Sequence, residues 1–218
     1  EFFFESAAQS PATGGGACIT GVFNGPVADA MVALHPLLSI ANTSILENTW
    51  TETKNYYEAW FRGIGGARDP YWATRRELIK SAFFALPLSV EVWSDISAEW
   101  LKLGVNGSVG MNAMGGAWSE PAADAAAYPH RKFLFNAIIN PIWYDAALDA
   151  KILNWTRYAY AKYYASRCSN PGKVCEVYCN YPDADLKDFS LAYWSSNAQQ
   201  LYTLKQAWDP HSIFTFPQ

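Results

Sequence analysis

The sequence predicts an α+β fold in which a large antiparallel sheet has helices on one face. Segments of strand-like composition alternate with segments that have helical periodicity. No internal repeat or low-complexity linker interrupts this mixture. With 218 residues, the chain is long enough to bury a sizeable core as one large domain, or as a domain with an extension.

Proline and glycine set the ends of the predicted elements. Pro26 and Pro87 lie in the first turns of two helices, and Gly104 ends the second. The predicted strands cover residues 2–6, 17–23, 105–112 and 132–139, with a strand end at 176–178. The predicted helices cover residues 26–38, 87–103 and 146–165, a short helix or loop spans 47–61, and a terminal helix runs from Ser190 to Asp209-Pro210.

The composition excludes several kinds of partner. The net charge of −4 and the pI near 5.4 give no basic patch, so neither nucleic acid nor an anionic membrane is expected. No apolar run approaches the roughly 20 residues of a membrane-spanning helix. Half of the residues are hydrophobic and only 17% are charged, so some apolar surface is expected to meet a protein partner. The chain begins at Glu1 without a signal sequence, so any targeting segment is expected outside it.

Cysteines and sequons bear on the compartment. Cys168 and Cys175 bracket a turn-rich loop that a disulfide could close, although spacing alone leaves the pairing open. Sequons at Asn42, Asn106 and Asn154 would be glycan sites on a secreted chain. The histidines are scattered without ligand spacing, so no metal site is predicted.

One tyrosine lies where a predicted strand meets a loop. Pro182 and Asp183 break the strand end at 176–178, which puts Tyr181 at the junction. Rigid scaffolds present functional groups from such loops, although a packing role is commoner for a tyrosine there.

Several linked motifs surround this tyrosine. They are Tyr178-Cys179-Asn180-Tyr181-Pro182-Asp183-Ala184-Asp185-Leu186, Tyr193-Trp194-Ser195-Ser196-Asn197, Lys205-Gln206-Ala207-Trp208-Asp209-Pro210 and Phe214-Thr215-Phe216-Pro217-Gln218. This ending resembles that of the berberine-bridge-enzyme-like flavoprotein oxidases. Weaker matches are Thr49-Trp50-Thr51-Glu52, Met111-Asn112-Ala113-Met114-Gly115-Gly116 and Tyr128-Pro129-His130-Arg131. The resemblance spans nearly all of the chain and begins inside the family's substrate domain.

The resemblance implies a fold, a cofactor and a reaction. Members bind FAD between an amino-terminal flavin domain and a sheet-based substrate domain, and they transfer a hydride from an alcohol, hemiacetal or C–H centre to flavin N5. Dioxygen then reoxidises the flavin and gives hydrogen peroxide. By this resemblance, residues 1–175 are the substrate domain, and residues 176–218 are a segment that packs on a separate FAD-binding domain. That flavin-domain chain, with any covalent FAD attachment, would be the partner of this one, and the oxidase would be secreted.

The resemblance also assigns candidate site residues. Tyr181 aligns with the family's catalytic base, and its phenol, with an ordinary pKa near 10, would need neighbours that favour phenolate. Asn180, Tyr178 and Asn197 would contact FAD, with a helix cap as the alternative for Asn197. The candidate substrate contacts, for each of which core packing is the alternative, are Asn112, Trp118, Asn136, Trp50 and Tyr57.

Three departures from the family pattern bear on the substrate. Ser195 replaces the usual glycine, Asn112 stands where some sugar oxidases have an acid, and Asn136 or Ile138 stands where a Gln or Glu is usual. Carbohydrate is the first expected substrate, and a phenolic or alkaloid-type secondary metabolite is the second. A non-catalytic binding or defence protein on the same scaffold is the alternative from another class.

Overall fold

The computed structural model describes residues 2–9, 16–39, 45, 47–55, 74–168 and 174–216. The chain divides into two compact units, which are described separately. The first comprises Glu1–Phe3 and Gly21–Arg75, and the second comprises Phe4–Thr20 and Arg76–Gln218. The boundary predicted at residue 175 stays a prediction.

The first unit contains helix α1, Val27–Leu38, which follows Pro26 as predicted. Residues 50–55 are also helical. A capping box opens them, because Thr49 N donates to Glu52 Oε2 at 2.8 Å and Glu52 N donates to Thr49 Oγ1 at 3.3 Å. The Thr-Trp-x-Glu motif therefore has a structural role as a helix start.

The second unit is built on an antiparallel sheet. The strands of this sheet are β1 Phe2–Gln9, β2 Gly16–Phe23, β3 Arg76–Glu77, β4 Lys80–Phe84, β5 Asn106–Ala113 and β6 Phe135–Trp143; residues 2–3 of β1 and 21–23 of β2 are counted with the first unit. The order is β2-β1-β5-β6-β3, and β4 also pairs with β6. Strands β3 and β4 thus lie one after the other along the same side of β6.

The helices of this unit follow or precede the strands in the chain. They are α2 Val90–Leu103, α3 Asp149–Ala159 with a π-helical continuation over Tyr160–Ala165, α4 Phe189–Trp194 and α5 Ala198–Trp208. Ser89 caps α2, and Gly104 ends it with a left-handed φ of 71°. No helix within the described residues is long and apolar enough to cross a membrane.

The hydrophobic core lies between one face of the sheet and helices α2 and α3. Ile96 and Trp100 of α2 and Ile152 of α3 are fully buried against alternate side chains of β4, β5 and β6. Full burial of such a side chain stabilises the fold by about 1.5–3 kcal/mol. Tyr164 also donates a hydrogen bond to the Ile138 carbonyl of β6 at 3.1 Å. The predicted α+β class, with these helices on one face, is confirmed.

Some predicted boundaries were wrong. Strand β4 was missed, because its sequence begins with a lysine and lacks polar–apolar alternation. Strand β6 begins at Phe135 and ends at Trp143 instead of Ile139. It includes Pro141, which is paired with Gly107, whose φ is 102°. Residues 176–178 are not a strand, although Phe83 N donates to the Glu176 carbonyl at 3.0 Å.

Candidate functional site

The sheet face opposite the hydrophobic core has polar side chains. Because side chains alternate along a strand, Asn136, Ile138 and Asn140 of β6 share this face. Asn112 of β5 is the register partner of Asn136, and Ser108 is the partner of Asn140. We call this surface, made by residues 108, 110 and 112 of β5 and 136, 138 and 140 of β6, the open face because it lies away from helices α2 and α3, although Asn136 and Ile138 on it are only 3% and 5% exposed.

Three amide side chains on the open face have an unmet hydrogen-bonding capacity. The Oδ1 atoms of Asn112, Asn136 and Asn140 are buried and accept no hydrogen bond from the described residues. Asn136 as a whole is only 3% exposed. A buried carbonyl oxygen left without a donor costs about 1–3 kcal/mol, so each of these oxygens needs a donor that the described residues do not supply.

A series of aromatic contacts connects the open face to Tyr181. Phe83 of β4, the register partner of Asn136, lies 6.3 Å from Tyr128 between ring centroids. Tyr128 lies 6.2 Å from Tyr178, and Tyr178 lies 5.0 Å from Tyr181 in an edge-to-face arrangement. Asn180 Nδ2 donates to Tyr178 Oη at 2.9 Å. The structure therefore brings the predicted residues Tyr178, Asn180 and Tyr181 together beside this face.

A cation also lies in this aromatic group. The Arg131 guanidinium carbon is 5.5 Å from the ring centroids of both Trp118 and Tyr128, within cation–π range. Trp118 Nε1 donates to the His130 carbonyl at 3.1 Å, so the predicted substrate contact Trp118 is fixed to the Pro-His-Arg loop. Burial raises the pKa of Tyr128, so its phenol stays neutral.

Several contacts hold the segment that precedes Tyr181. Tyr178 N donates to Ser81 Oγ at 3.1 Å, and Val177 N donates to the Ala192 carbonyl at 3.0 Å. His130 Nε2 lies 2.7 Å from the Tyr193 carbonyl, while its Nδ1 lies 3.7 Å from Glu176 Oε1. Contact with His130 lowers the pKa of Glu176. The Pro-His-Arg motif thus anchors the C-terminal part of the chain.

A buried ion cluster, which sequence reasoning missed, holds the next turn. Lys80 Nζ donates to both carboxylate oxygens of Asp183, at 2.8 and 2.7 Å, and lies 2.8 Å from Asp185. Arg157 of α3 adds an exposed pair with Asp185 at 2.8 Å. Arg157 and then Lys80 lower the pKa of Asp185 to about 2. These charges border a cavity of about 280 Å³, and they are paired with one another.

Asn197, predicted to contact FAD, is buried and bound within the chain. Its Nδ2 lies 2.8 Å from the Ala123 carbonyl and 3.0 Å from that of Ala126. The amide therefore fastens residues 123–127 to the start of α5. Its contact with FAD stays a prediction.

The other predicted residues fall in different places. Trp50 belongs to the first unit and is 80% exposed. Asn154 is exposed on α3, and Asn106 is half-buried at the start of β5, so glycosylation at either stays a prediction. Tyr57 and Asn42 lie outside the described residues. Cys168 and Cys175 form a disulfide.

Ser195 adopts a backbone conformation that favours glycine. It lies where the resemblance expects glycine, and its φ of 45° and ψ of −125° differ from the allowed regions of other residues. Such a conformation costs about 1–3 kcal/mol for a residue with a Cβ atom. Ser195 therefore stores strain in this turn.

We expect Ser195→Gly to be more stable than Ser195→Ala by about 1 kcal/mol, because only glycine relieves the strain. The alanine variant is the matched control, since both substitutions remove the hydroxyl. Urea unfolding followed by circular dichroism measures the difference. Equal urea midpoints for the two variants would show that the backbone at Ser195 is not strained.

Comparison with known proteins agrees with this arrangement. The family model described as "Berberine and berberine like" matches residues 177–218. Hexose oxidase of Chondrus crispus is 29% identical over 125 residues, covering 50% of this chain and 23% of that protein. The uncharacterized FAD-linked oxidoreductase YgaK of Bacillus subtilis is 25% identical over 202 residues, covering 91% of this chain and 41% of that protein. The chain thus spans less than half the length of these relatives.

The fold matches solved structures as well. Berberine bridge enzyme from Eschscholzia californica superposes with a TM-score of 0.76 at 20% identity, covering all of this chain and 47% of that one. Residues 177–218 thus match the berberine-like family model, and the curated relatives that the chain resembles include a protein named as an FAD-linked oxidoreductase. The chain has the fold of the corresponding part of berberine bridge enzyme.

Proposed function

We propose that this chain is the substrate-binding and C-terminal part of a secreted FAD-dependent oxidase that acts on a carbohydrate. The observation that supports the substrate class is the open face, where neutral amide oxygens lack donors beside a group of tyrosines. Sugar hydroxyls are neutral donors and match such oxygens. The sequence similarity to a protein named hexose oxidase, from Chondrus crispus, also supports a carbohydrate substrate.

The described residues fit one side of a flavin. Tyr178, Tyr181 and Asn180 offer aromatic faces and an amide, which suit a flat ring system with polar edges. FAD, when bound, supplies the acceptor of two electrons. The remaining contacts would come from a separate flavin-binding domain, the proposed partner.

The surface of the C-terminal part suits such a partner. Helix α5 has no buried residue, and Trp208 is 85% exposed. Other exposed apolar side chains of residues 189–216 are Phe189, Leu191, Tyr202, Leu204, Ile213, Phe214 and Phe216. So much apolar area on residues 189–216 favours burial against a protein, and the flavin-binding domain is the occupant that the family implies.

Within the proposed reaction, three residues of this chain have defined tasks. The amides of Asn112 and Asn136 would hold substrate hydroxyls, and the phenol oxygen of Tyr181 would take the hydroxyl proton as the substrate is oxidised. A phenol with an ordinary pKa near 10 needs stabilisation of its anion, which donors near Tyr181 would supply. Dioxygen would be the final acceptor, giving hydrogen peroxide.

A phenolic or alkaloid-type metabolite is the second candidate substrate. The observation that favours it is the aromatic group of Phe83, Tyr128, Tyr178 and Tyr181, whose rings suit an aromatic ligand. The Cys168–Cys175 disulfide supports secretion in either case, since disulfides persist in oxidising compartments.

Anaerobic titration of native-source protein tests the function. We expect glucose to bleach the visible absorbance of the bound flavin and a benzylic phenol to leave it unchanged. Bleaching by the phenol alone would replace carbohydrate with the second substrate class. A protein that contains no flavin, and that no substrate bleaches, would instead be a non-catalytic binding or defence protein.

A further inference from the structure

His130 is connected to both ends of residues 176–183, the stretch that contains the proposed base and that we call the tyrosine segment. At the start of this segment, Glu176 Oε1 lies 3.7 Å from His130 Nδ1. At its end, Asp183 N donates to the phenol oxygen of Tyr193 at 2.8 Å. The backbone carbonyl of Tyr193 in turn lies 2.7 Å from His130 Nε2. One imidazole ring therefore contacts the first end directly and the second end through Tyr193.

The imidazole of His130 is fixed by packing, and the residue is only 1% exposed. Its ring stacks on Phe83 at 4.8 Å between centroids and meets Tyr128 edge-to-face at 5.1 Å. Phe83 also donates its backbone N–H to the Glu176 carbonyl at 3.0 Å. Because the ring cannot turn without displacing these neighbours, its two nitrogens keep fixed directions toward Tyr193 and Glu176.

The two contacts of His130 differ in their chemistry. A carbonyl oxygen accepts hydrogen bonds only, so the 2.7 Å contact requires a hydrogen on Nε2. At 3.7 Å, the contact of Nδ1 with Glu176 is too long for a normal hydrogen bond and depends on charge. Contacts with His130 and with the Ser195 hydroxyl lower the pKa of Glu176, so this carboxylate is negative near neutral pH. The contact is therefore an ion pair whenever Nδ1 carries a proton.

We propose that His130 is a positioning residue for proton transfer at Tyr181. It holds both ends of the tyrosine segment and so fixes the phenol oxygen of Tyr181 relative to the substrate, without touching the substrate itself. The inference rests on the proposed function, because it takes Tyr181 as the base. Proton transfer requires a heavy-atom separation of about 2.6–3.2 Å. A segment released at either end would lose that geometry for part of the time.

The first test measures anaerobic flavin reduction by saturating glucose in the flavin-loaded complex. We expect His130→Leu to lower this rate roughly 10- to 100-fold, because misplacement of a catalytic group by about 1 Å has an effect of this size. His130→Gln keeps a donor for the Tyr193 carbonyl and should lose less activity than His130→Leu. His35→Leu, at an exposed position of helix α1, is the matched control and should behave as wild type.

A second substitution distinguishes positioning from a general loss of structure. If His130 acts through Tyr181, His130→Leu should have no further effect on the reduction rate in a Tyr181→Phe background. A histidine that only stabilises the fold would lower the rate by the same factor in both backgrounds, and that result would overturn the inference. Glu176→Gln removes the charge of a partly exposed side chain, so it serves if His130→Leu does not fold. It should also lower the rate only when Tyr181 is present.

Hydrogen–deuterium exchange of the same complex separates this inference from the proposed function, because it needs no turnover. Backbone N–H groups of the tyrosine segment donate hydrogen bonds, namely those of Val177, Tyr178, Tyr181 and Asp183. Their exchange therefore reports whether the segment is held. We expect His130→Leu to speed exchange of peptides from this segment roughly 10-fold and His35→Leu to leave it unchanged.

The outcomes of the two measurements are distinct. Unchanged exchange in His130→Leu would overturn the inference and leave the oxidase intact. Faster exchange with an unchanged rate of flavin reduction would also overturn it, because the position of Tyr181 would not depend on His130. Faster exchange in a complex whose flavin glucose does not reduce would contradict the proposed function and support the hold of His130 on the segment.

Discussion

Tyr181→Phe is expected to lower the rate of anaerobic flavin reduction by roughly 10²- to 10⁴-fold, the usual contribution of a positioned base. The substitution removes one oxygen and keeps the ring. The edge-to-face contact with Tyr178, at 5.0 Å between centroids, should therefore survive. Stopped-flow absorbance of the flavin, recorded with saturating substrate and without oxygen, measures this step directly.

Two controls sharpen that experiment. Tyr158→Phe removes a phenol from the exposed side of helix α3 and should leave the rate unchanged. Tyr178→Phe removes the acceptor of the Asn180 hydrogen bond and should have a smaller effect than Tyr181→Phe if Tyr181 is the base. An unchanged reduction rate in Tyr181→Phe would exclude Tyr181 from proton transfer. A larger loss in Tyr178→Phe would move that task to Tyr178.

Much of this neighbourhood could be predicted from sequence, because its residues are close in the chain or belong to recognisable motifs. Tyr178, Asn180 and Tyr181 fall within four residues, and their turn follows from Pro182. Asn112 and Asn136 were predicted from the motifs, but their pairing depends on the register of β5 with β6. Asn140 was not predicted as a site residue, because β6 was expected to end at Ile139. Tyr128 and Arg131 belong to a recognised motif, yet only the fold reveals their contacts with Trp118 and Tyr178.

The ion cluster shows why the remainder could not be predicted. Lys80 and Asp183 are 103 residues apart in the sequence. A single lysine or aspartate is normally predicted to lie at the solvated surface. Only the structure shows both side chains at 3–4% exposure. The Asp-x-Asp part of the C-terminal motif thereby acquires a physical role. It neutralises a lysine buried in β4 and fixes the turn that follows Tyr181.

Lys80→Met is expected to destabilise the second unit by about 3–5 kcal/mol, because it removes the cation that is paired with the buried Asp183 carboxylate. Total stability is typically about 5–15 kcal/mol, so the loss would be large. Urea unfolding monitored by tryptophan fluorescence would show it as a lower midpoint with an unchanged slope. The double variant Lys80→Met/Asp183→Leu should recover part of the loss, because it also removes the buried charge of Asp183.

Arg157→Met is the matched control for this cluster. Its pair with Asp185 is exposed, with side chains 48% and 34% accessible, so we expect a change of no more than about 1 kcal/mol. If Lys80→Met were no more destabilising than Arg157→Met, the buried pair would not hold the turn. If Lys80→Met is far more destabilising than Arg157→Met, the ion pair holds β4 and the Asp183 turn together. Since Tyr181 lies between this turn and the contact of Tyr178 with Ser81, its position then depends on two anchors that both lie on β4.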